Sequence, residues 1–428
     1  PLPPAPPREA LESRLEQAAA LGAGIEEARR ELAERDARHA GGEIHLVLAG
    51  EINAGKSTLI RALIPDGAAE ISPVGGATRE VARQSWRAPN GTRVILGDLP
   101  GLNEVGEVLS EAARDEILRS HGVIFLSEGD LTRDQFRELT LLAGLGKPLI
   151  VALSKSDQWR PEDLARVRRR LGERLATLPP SPGGVEIAAV SGGGVREVIR
   201  PLPGGGEERL RRVAPPDTRE LLQAVTRLLG KDGALLEGLR DRAVHHLAAN
   251  KLERAIASHR HLEADRLVGS YARKAVAGAM AAVTPGMDVV IQGYLGFQLI
   301  QELCQLYETP VTRLEAERLL KEATTRADRA LPLLLATVGN ALKAFPGAGT
   351  LAGGAVHAVC YGLLFESLGR ALIRVLEREG QLAAEAAARL FEEELESPLE
   401  ERLKGVALSA LAAALEPRTI GRGTEGST

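Results

Sequence analysis

The sequence has few aromatic residues, few cysteines and little excess of charge of either sign. Phenylalanine, tyrosine and tryptophan make up 3% of its 428 residues, whereas hydrophobic residues of all kinds make up 44%. The cores must therefore be built mainly from leucine, alanine and valine. Its two cysteines, Cys304 and Cys360, exclude a cysteine-rich zinc site, and we expect both to be reduced core residues. The formal net charge of −4 argues against wholesale binding of nucleic acid.

Long hydrophobic segments are also scarce. A membrane-spanning helix needs about 20 apolar residues. Residues 344–365 contain no Asp, Glu, Lys or Arg, but they include Pro346, His357 and five glycines. Such segments suit buried helices better than membrane spans, although an inserted hairpin or a peripheral membrane surface stays open as an alternative. The sequence does not open with a charged and then an apolar stretch, which argues against secretion.

The most informative pattern that is present is the octapeptide GEINAGKS, residues 50–57. The apolar residues 43–49 precede it and predict a buried strand, and residues 58–63 predict a helix. A strand, a glycine loop and a helix in this order aim backbone N–H groups and a helix N-terminus at one point, which suits a chain of phosphates. Lys56 would reach the β and γ phosphates, and the Ser57 hydroxyl would bind Mg²⁺.

A second predicted strand, residues 94–97, ends in the tetrapeptide DLPG. Asp98, at the end of this strand, can hold Mg²⁺ through a water molecule. Gly101 has no side chain, so its N–H can approach a γ-phosphate. The two residues therefore predict the metal and γ-phosphate side of the same site.

A third predicted strand, residues 148–153, ends in the tetrapeptide SKSD. The Asp157 carboxylate can accept two hydrogen bonds from the edge of a guanine, and the Lys155 stem can cover the base. The last predicted strand, VEIAAV, ends in Ser191 and Gly192. Because each motif follows its own strand, we expect all of them at one edge of a sheet.

With these motifs the sequence resembles the translation-factor-related P-loop GTPases, and most closely the Era and TrmE group. The segment GEINAGKSTLIRAL is also similar to bacterial dynamin-like GTPases. The resemblance implies hydrolysis of GTP to GDP and phosphate with Mg²⁺. In the segment ATRE it places Thr78 where the family has a threonine that closes on Mg²⁺ and the γ-phosphate, so Lys56, Thr78 and Gly101 are the expected catalytic residues. The expected nucleotide-binding residues are Asn53, Ala54, Gly55, Lys56, Ser57, Thr58, Asp98, Lys155, Asp157, Ser191 and Gly192.

Three residues depart from the family pattern or add to it. Ser154 stands where the family usually has Asn or Thr, which puts its bond to the phosphate loop in doubt. Leu102 stands where Ras-type enzymes have the glutamine that orients the attacking water. Related GTPases with a hydrophobic residue there recruit K⁺ through an asparagine at the place of Asn53, which otherwise only caps the loop. We therefore expect slow turnover unless K⁺ or a nucleotide-dependent homodimer of the GTPase domain activates it.

The resemblances divide the chain into three parts. Residues 1–41 predict an N-terminal helical segment that packs on the helical domain, and residues 42–230 predict an α/β P-loop GTPase domain with a mostly parallel sheet and helices on both faces. Residues 231–428 predict an all-α helical domain, in which residues 265–375 resemble the YcjF-like domain of unknown function. The Gly- and Pro-rich residues 191–216 are long for a connection, so we expect them to be functional or mobile.

Three roles remain open at this stage. The leading hypothesis is a switch or mechanical GTPase whose helical domain contacts a membrane or a partner. The alternatives are an RNA- or ribosome-associated GTPase of the Era and TrmE type and a GTP-binding regulatory scaffold with little turnover. The acidic balance disfavours nucleic acid as a partner. The expected location is the cytoplasm, either free, peripheral to the cell membrane, or inserted in its inner face.

Overall fold

The computed structural model describes residues 3–51, 53–64, 82–88, 91–99, 110–180, 184–201, 207–230, 233–281, 287–343, 353–397 and 402. The chain divides into two compact units, Pro1–Ala255 and Ile256–Thr428. Of the predicted site residues, Thr78 and Gly101 lie outside the described residues, as does Leu102. The predicted limits 1–41, 42–230 and 231–428 stay predictions.

A six-stranded sheet forms the centre of the first unit, with the strand order β2-β3-β1-β4-β5-β6. All neighbouring strands are parallel except β2, which runs antiparallel to β3. The central strands are mostly apolar, as expected for strands that helices cover on both faces. The strands are β1 (Ile44–Gly50), β2 (Ala82–Arg87), β3 (Arg93–Asp98), β4 (Gly122–Ser127), β5 (Leu149–Leu153) and β6 (Val185–Ala189).

Two hydrophobic clusters lie on the two faces of this sheet. One includes side chains of α3 and α7, and the other includes side chains of α4, α5 and α6. The predicted α/β fold class, followed by a helical region, is confirmed. The helices of the first unit are α1 (Arg8–Ala20), α2 (Glu26–Ala40), α3 (Lys56–Leu63), α4 (Glu111–Arg119), α5 (Arg133–Gly144), α6 (Pro161–Leu175) and α7 (Arg219–Gly230).

The Gly- and Pro-rich connection contains an antiparallel two-stranded ribbon, formed by β7 (Gly194–Pro201) and β8 (Glu207–Ala214). These strands are not apparent from the sequence, since arginines and glutamates interrupt the apolar alternation that marks a half-buried strand. Val195 and Val213 face each other across the ribbon and are both exposed. The ribbon leaves the sheet directly after the predicted base-binding residues.

The N-terminal helices α1 and α2 belong to the first unit. Their apolar residues, such as Leu11 and Leu32, are buried. We expected this segment to pack on the helical domain, but α2 contacts α4 of the α/β domain as well as the first part of α8 (Gly233–Ala281). Glu31 makes both contacts, with Arg119 and Lys251. Charged side chains therefore hold α2 in place on two sides.

The second unit consists of helices and short connections, with no strand among its described residues. Two glycines allow its helices to approach closely: a Cβ atom on Gly369 would lie 2.3 Å from Val268 Cγ2, and one on Gly296 would lie 2.7 Å from Leu320 Cδ1. Among the described residues no helix is long and apolar enough to cross a membrane. Both cysteines are free and buried in its core. Its helices after α8 are α9 (Met287–Leu306), α10 (Arg313–Lys343), α11 (Gly353–Glu379) and α12 (Ala384–Glu396).

Candidate nucleotide-binding site

The loop between β1 and α3 has a backbone that ordinary residues adopt with difficulty. Gly50 has a φ of 139°, Asn53 a φ of 67° and Gly55 a φ of 94°. Gly50 also tolerates no side chain, because a Cβ atom there would lie 2.7 Å from the carbonyl oxygen of Leu126. Glycine and asparagine reach positive φ at the lowest energy. The sequence thus folds this segment into a tight loop that ends at the first turn of α3.

Lys56 closes the mouth of this loop. Its Nζ atom donates hydrogen bonds to the carbonyl oxygens of Gly50, at 2.7 Å, and Glu51, at 2.9 Å. The ammonium group therefore lies over the loop, at the start of α3, where the first N–H groups of a helix point away from its own carbonyl oxygens. The neighbouring residues differ in exposure: Ser57 and Asn53 are exposed, Thr58 is half-buried, and Ala54 is buried. Positive charge and amide donors at one point favour an anion.

Asp98 ends β3 next to β1, where it pairs in register with Leu48. Burial raises the pKa of its carboxyl group, and the nearby Lys56 ammonium acts in the opposite direction. The Oδ1 atom is buried and has no hydrogen-bond partner among the residues that the structure describes. A hard cation such as Mg²⁺ prefers oxygen ligands. Asp98 and the exposed Ser57 hydroxyl therefore fit a magnesium site beside Lys56.

The predicted base-binding residues meet where β5 and β6 end side by side. The Ser191 hydroxyl donates to Asp157 Oδ1 at 2.7 Å, and the Gly193 N–H donates to Ser191 Oγ at 3.2 Å. The backbones of Ser191 and Asp217 exchange two hydrogen bonds of 2.8 Å, which anchor this loop to the start of α7. The carboxylate of Asp157 is thus held in one orientation. A fixed carboxylate can read the two donors on the edge of guanine.

Gly192 brings the base-binding loop against the phosphate-binding helix. A Cβ atom on Gly192 would lie 2.5 Å from Cγ2 of Thr58, in the first turn of α3. Only glycine allows this approach without movement of a neighbour. The two predicted halves of the site are therefore in contact.

One further residue at this edge of the sheet was not predicted from the sequence. Glu128, directly after β4, forms an ion pair with Lys155, which has a φ of 55°. Its place at the carboxyl end of a central strand is the signal that could have identified it. Ser154 makes no side-chain hydrogen bond to the phosphate loop in the described part of the chain: its N–H donates to Ser127 O at 2.8 Å, and its buried Oγ has no partner among the described residues.

Comparison with known proteins agrees with this geometry. Residues 45–155 match a family described as 50S ribosome-binding GTPase, and residues 244–397 match a domain of unknown function, DUF697. The chain therefore contains a P-loop GTPase domain. The predicted resemblance of this domain to the Era and TrmE group, and its fusion to a helical domain of unknown function, are confirmed.

The P-loop GTPase domain is similar to the tRNA modification GTPase MnmE of Dichelobacter nodosus, with 38% identity over 90 residues, 20% of each chain. It is also similar to GTPase Era of Aquifex aeolicus, with 27% identity over 167 residues, 37% of this chain and 55% of the relative. A solved structure of Era with MgGDPNP and nucleotides 1506–1542 of 16S ribosomal RNA is 25% identical, with a TM-score of 0.29; the match covers 35% of this chain and 51% of that one. The chain thus spans between 20% and 55% of the length of these two curated relatives.

Proposed function

We propose that this protein binds GTP and hydrolyses it to GDP and phosphate with Mg²⁺. One observation carries the proposal: the loop closed by Lys56, the Asp98 carboxylate and the Ser191–Asp157 hydrogen bond lie at the carboxyl ends of one parallel sheet. Ligands of open α/β sheets bind at this edge. The site joins a phosphate-binding end to an end that can read guanine.

The phosphate end supplies charge and hydrogen-bond donors. Lys56 and the N–H groups of the loop neutralise the phosphates, and Ser57 and Asp98 hold Mg²⁺. The proposal also includes Thr78 as a further magnesium ligand and the Gly101 N–H as the contact to the γ-phosphate. Phosphoryl transfer needs little covalent chemistry from the protein, so positioned positive charge is the main contribution.

The base end is tested by Asp157→Asn. Guanine offers two donors to the carboxylate, whereas xanthine offers one donor and one acceptor, which an amide matches. The variant should lose GTP affinity by about 2–3 kcal/mol, as expected for a charge-assisted hydrogen-bonded pair. It should also bind xanthosine triphosphate better than the wild type does, as measured by calorimetry. Asp163→Asn, on the exposed surface of α6, is the matched control. Unchanged GTP affinity in Asp157→Asn would remove this residue from the site.

Hydrolysis needs a source of charge and of water orientation. Leucine at position 102 cannot polarise water, so we propose that K⁺ held by Asn53, in a GTP-dependent homodimer of GTPase domains, supplies the charge. Asn53→Gly is the sharpest test, because glycine keeps the positive φ of 67° and removes only the side chain. The variant should bind GTP normally and lose any preference for K⁺ over Na⁺. Equal wild-type rates in both salts, strictly proportional to protein concentration, would favour an arginine from this chain or a partner instead.

For the biological role, we propose a switch or mechanical GTPase of dynamin-like character at the cytoplasmic face of a membrane. The charge-poor residues 344–365 support this role, and the acidic balance of the chain favours it over an RNA-associated role because excess negative charge repels nucleic acid. The RNA-associated alternative gains support from the relatives, because Era has been solved with ribosomal RNA, and the expectation against nucleic acid is weaker for that reason. Co-sedimentation with anionic liposomes and RNA pull-down, each with GDP and with a non-hydrolysable GTP analogue, separate the two. Binding to neither, with negligible turnover in K⁺, would favour the regulatory scaffold.

A further inference from the structure

A group of charged side chains with low exposure joins four elements of the first unit. It lies among β2, α2, α4 and the first part of α8, and it contains four carboxylates and four cations, so its formal charges balance. We call it the α2 network. Its members are Glu31, Glu34, Arg38, Arg83, Asp115, Glu116, Arg119 and Lys251.

Glu31 is the centre of this network. Arg119 binds it with two hydrogen bonds, of 2.6 and 2.7 Å, and Lys251 Nζ lies 2.7 Å from its Oε1 atom. The side chain is 3% exposed. Burial opposes its ionisation, but the two cations outweigh burial and lower the pKa of Glu31. One ionised carboxylate of α2 therefore ties α4 to α8.

Glu116 is the second buried carboxylate of the network. Arg83 Nη2 donates to both of its oxygens, at 2.9 and 3.0 Å, and Arg119 Nη1 lies 3.3 Å from its Oε2 atom. Arg38 of α2 adds a contact at 3.5 Å. Through Glu116, the edge strand β2 is joined to α4 and α2.

The position of these elements along the chain connects the network to the proposed nucleotide cycle. Arg83 is in the first described strand after position 78, and Glu116 and Arg119 are in the first described helix after position 101. Thr78 and Gly101 are the residues that we propose to contact Mg²⁺ and the γ-phosphate. The α2 network therefore connects β2 and α4, the described elements that follow these two positions, to α2 and α8.

We infer that Glu31 is a positioning residue that couples α2 and the first part of α8 to the nucleotide state of the GTPase domain. This inference rests on the function proposed above. The short hydrogen bonds between Glu31 and Arg119 make α2 follow any displacement of α4, because separating this ion pair would leave buried charges without their partners. Coupling of this kind is reciprocal, so loss of Glu31 must change the relative affinity for GTP and GDP.

Hydrogen exchange of the full chain tests the inference, with Glu31→Gln compared with the wild type in GDP and in a non-hydrolysable GTP analogue. In the wild type, exchange in α2 and in residues 247–255 should differ between the two nucleotides. In Glu31→Gln the difference in exchange should persist in α4 and be lost in α2. The ratio of the affinities for the GTP analogue and for GDP should change about fivefold or more. Arg254→Gln is the matched control. It breaks the exposed ion pair between Arg254 of α8 and Glu111 of α4, and it should behave like the wild type.

The outcomes separate this inference from the proposed function. If no nucleotide protects residues 50–58 of the wild type, the proposed function fails. If those residues are protected while α2 responds to neither nucleotide, or while Glu31→Gln keeps the response, the inference is overturned. Equal loosening of α2 in both nucleotide states with an unchanged affinity ratio would show a structural role only and would overturn it as well. Should Glu31→Gln not fold, Lys251→Met tests the link to α8: Glu31 stays bound to Arg119, so α2 should keep its response to the nucleotide while residues 247–255 lose theirs, and an unchanged response of residues 247–255 would overturn the inference.

Discussion

Asp98→Asn should stabilise the first unit while it abolishes magnesium-dependent nucleotide binding. The Oδ1 atom of Asp98 is buried without a hydrogen-bond partner among the described residues, and burial raises the pKa of the group. The folded state therefore buries a carboxylate at a position where an uncharged side chain would be more stable. Such a conflict is typical of functional sites.

The expected magnitude follows from the burial of this oxygen. A buried polar atom without a partner destabilises a protein by about 1–3 kcal/mol, and more when it is charged. Asparagine has the same shape without the charge, but it loses the attraction of Lys56 and adds N–H donors. We expect a net gain of about 1 kcal/mol, which raises the melting temperature of a unit of this size by about 2–4 °C.

Tryptophan fluorescence is suited to this measurement. The chain has two tryptophans, Trp86 and Trp159, and both lie in the first unit, so thermal unfolding followed by fluorescence reports that unit alone. The protein should be free of nucleotide and kept in a chelator. Asp157→Asn is the matched control, because Ser191 donates to that carboxylate and the same substitution should bring no gain.

Two results would refute the reasoning. A melting temperature of Asp98→Asn at or below that of the wild type would mean that the carboxylate is well accommodated in the folded state. Wild-type affinity of this variant for GTP in Mg²⁺, measured by calorimetry, would remove Asp98 from the metal site. The two measurements are independent, so each part of the prediction can fail alone.

Two further predictions concern the site and the pH dependence of the fold. Gly192→Ala should weaken GTP binding, because the new Cβ atom would lie 2.5 Å from Cγ2 of Thr58. Adding Thr58→Ser, which removes that methyl group, should restore binding. Calorimetry that shows no such rescue in the double variant would contradict this prediction. Burial lowers the pKa of His45 to about 2, so its contribution to stability is complete above pH 6.5 and is lost as the pH falls. Between pH 7 and pH 4.5 this loss should reach about 2–3 kcal/mol, and denaturant unfolding of His45→Gln should show a smaller pH dependence.

The sequence predicted the parts of the fold and the site that rest on local rules. The glycine loop requires positive φ, and the strands that end at Asp98 and before Asp157 are short apolar runs with informative ends. It did not predict β2, a polar edge strand, or β4, whose apolar run GVIFLS has no period that distinguishes strand from helix. The Ser191–Asp157 hydrogen bond depends on β5 and β6 being neighbours, which is a property of the whole sheet.

The α2 network lies further still from what one sequence can predict. Glu31 is 88 positions from Arg119 and 220 positions from Lys251, and the helix that carries it, EEARRELAERDARHA, has the composition of a solvated surface helix. The Glu31 side chain is buried only because β2, α2, α4 and the first part of α8 pack together. Buried ion pairs are expensive to desolvate, and hydrophobic side chains of similar volume often serve stability as well or better.

Replacing a buried ion pair by hydrophobic side chains should therefore separate the stability of the first unit from the response of α2 to the nucleotide. Glu31→Met alone should destabilise the first unit by about 3 kcal/mol, the lower end expected for breaking a buried ion pair, because Lys251 and Arg119 lose their shortest ion pairs but keep Asp115 and Glu116 as partners. The double variant Glu31→Met/Lys251→Met keeps three carboxylates and three cations in the network and should recover most of this loss, as measured by denaturant unfolding with tryptophan fluorescence. Its α2 helix should nevertheless respond no longer to the choice between GDP and a GTP analogue. If the losses of unfolding free energy in Glu31→Met and in Lys251→Met simply add in the double variant, Glu31 and Lys251 do not interact energetically, and their ion pair contributes nothing to stability. If stability is recovered and the nucleotide response of α2 survives, hydrophobic packing transmits the change and the ionic network is not needed for it.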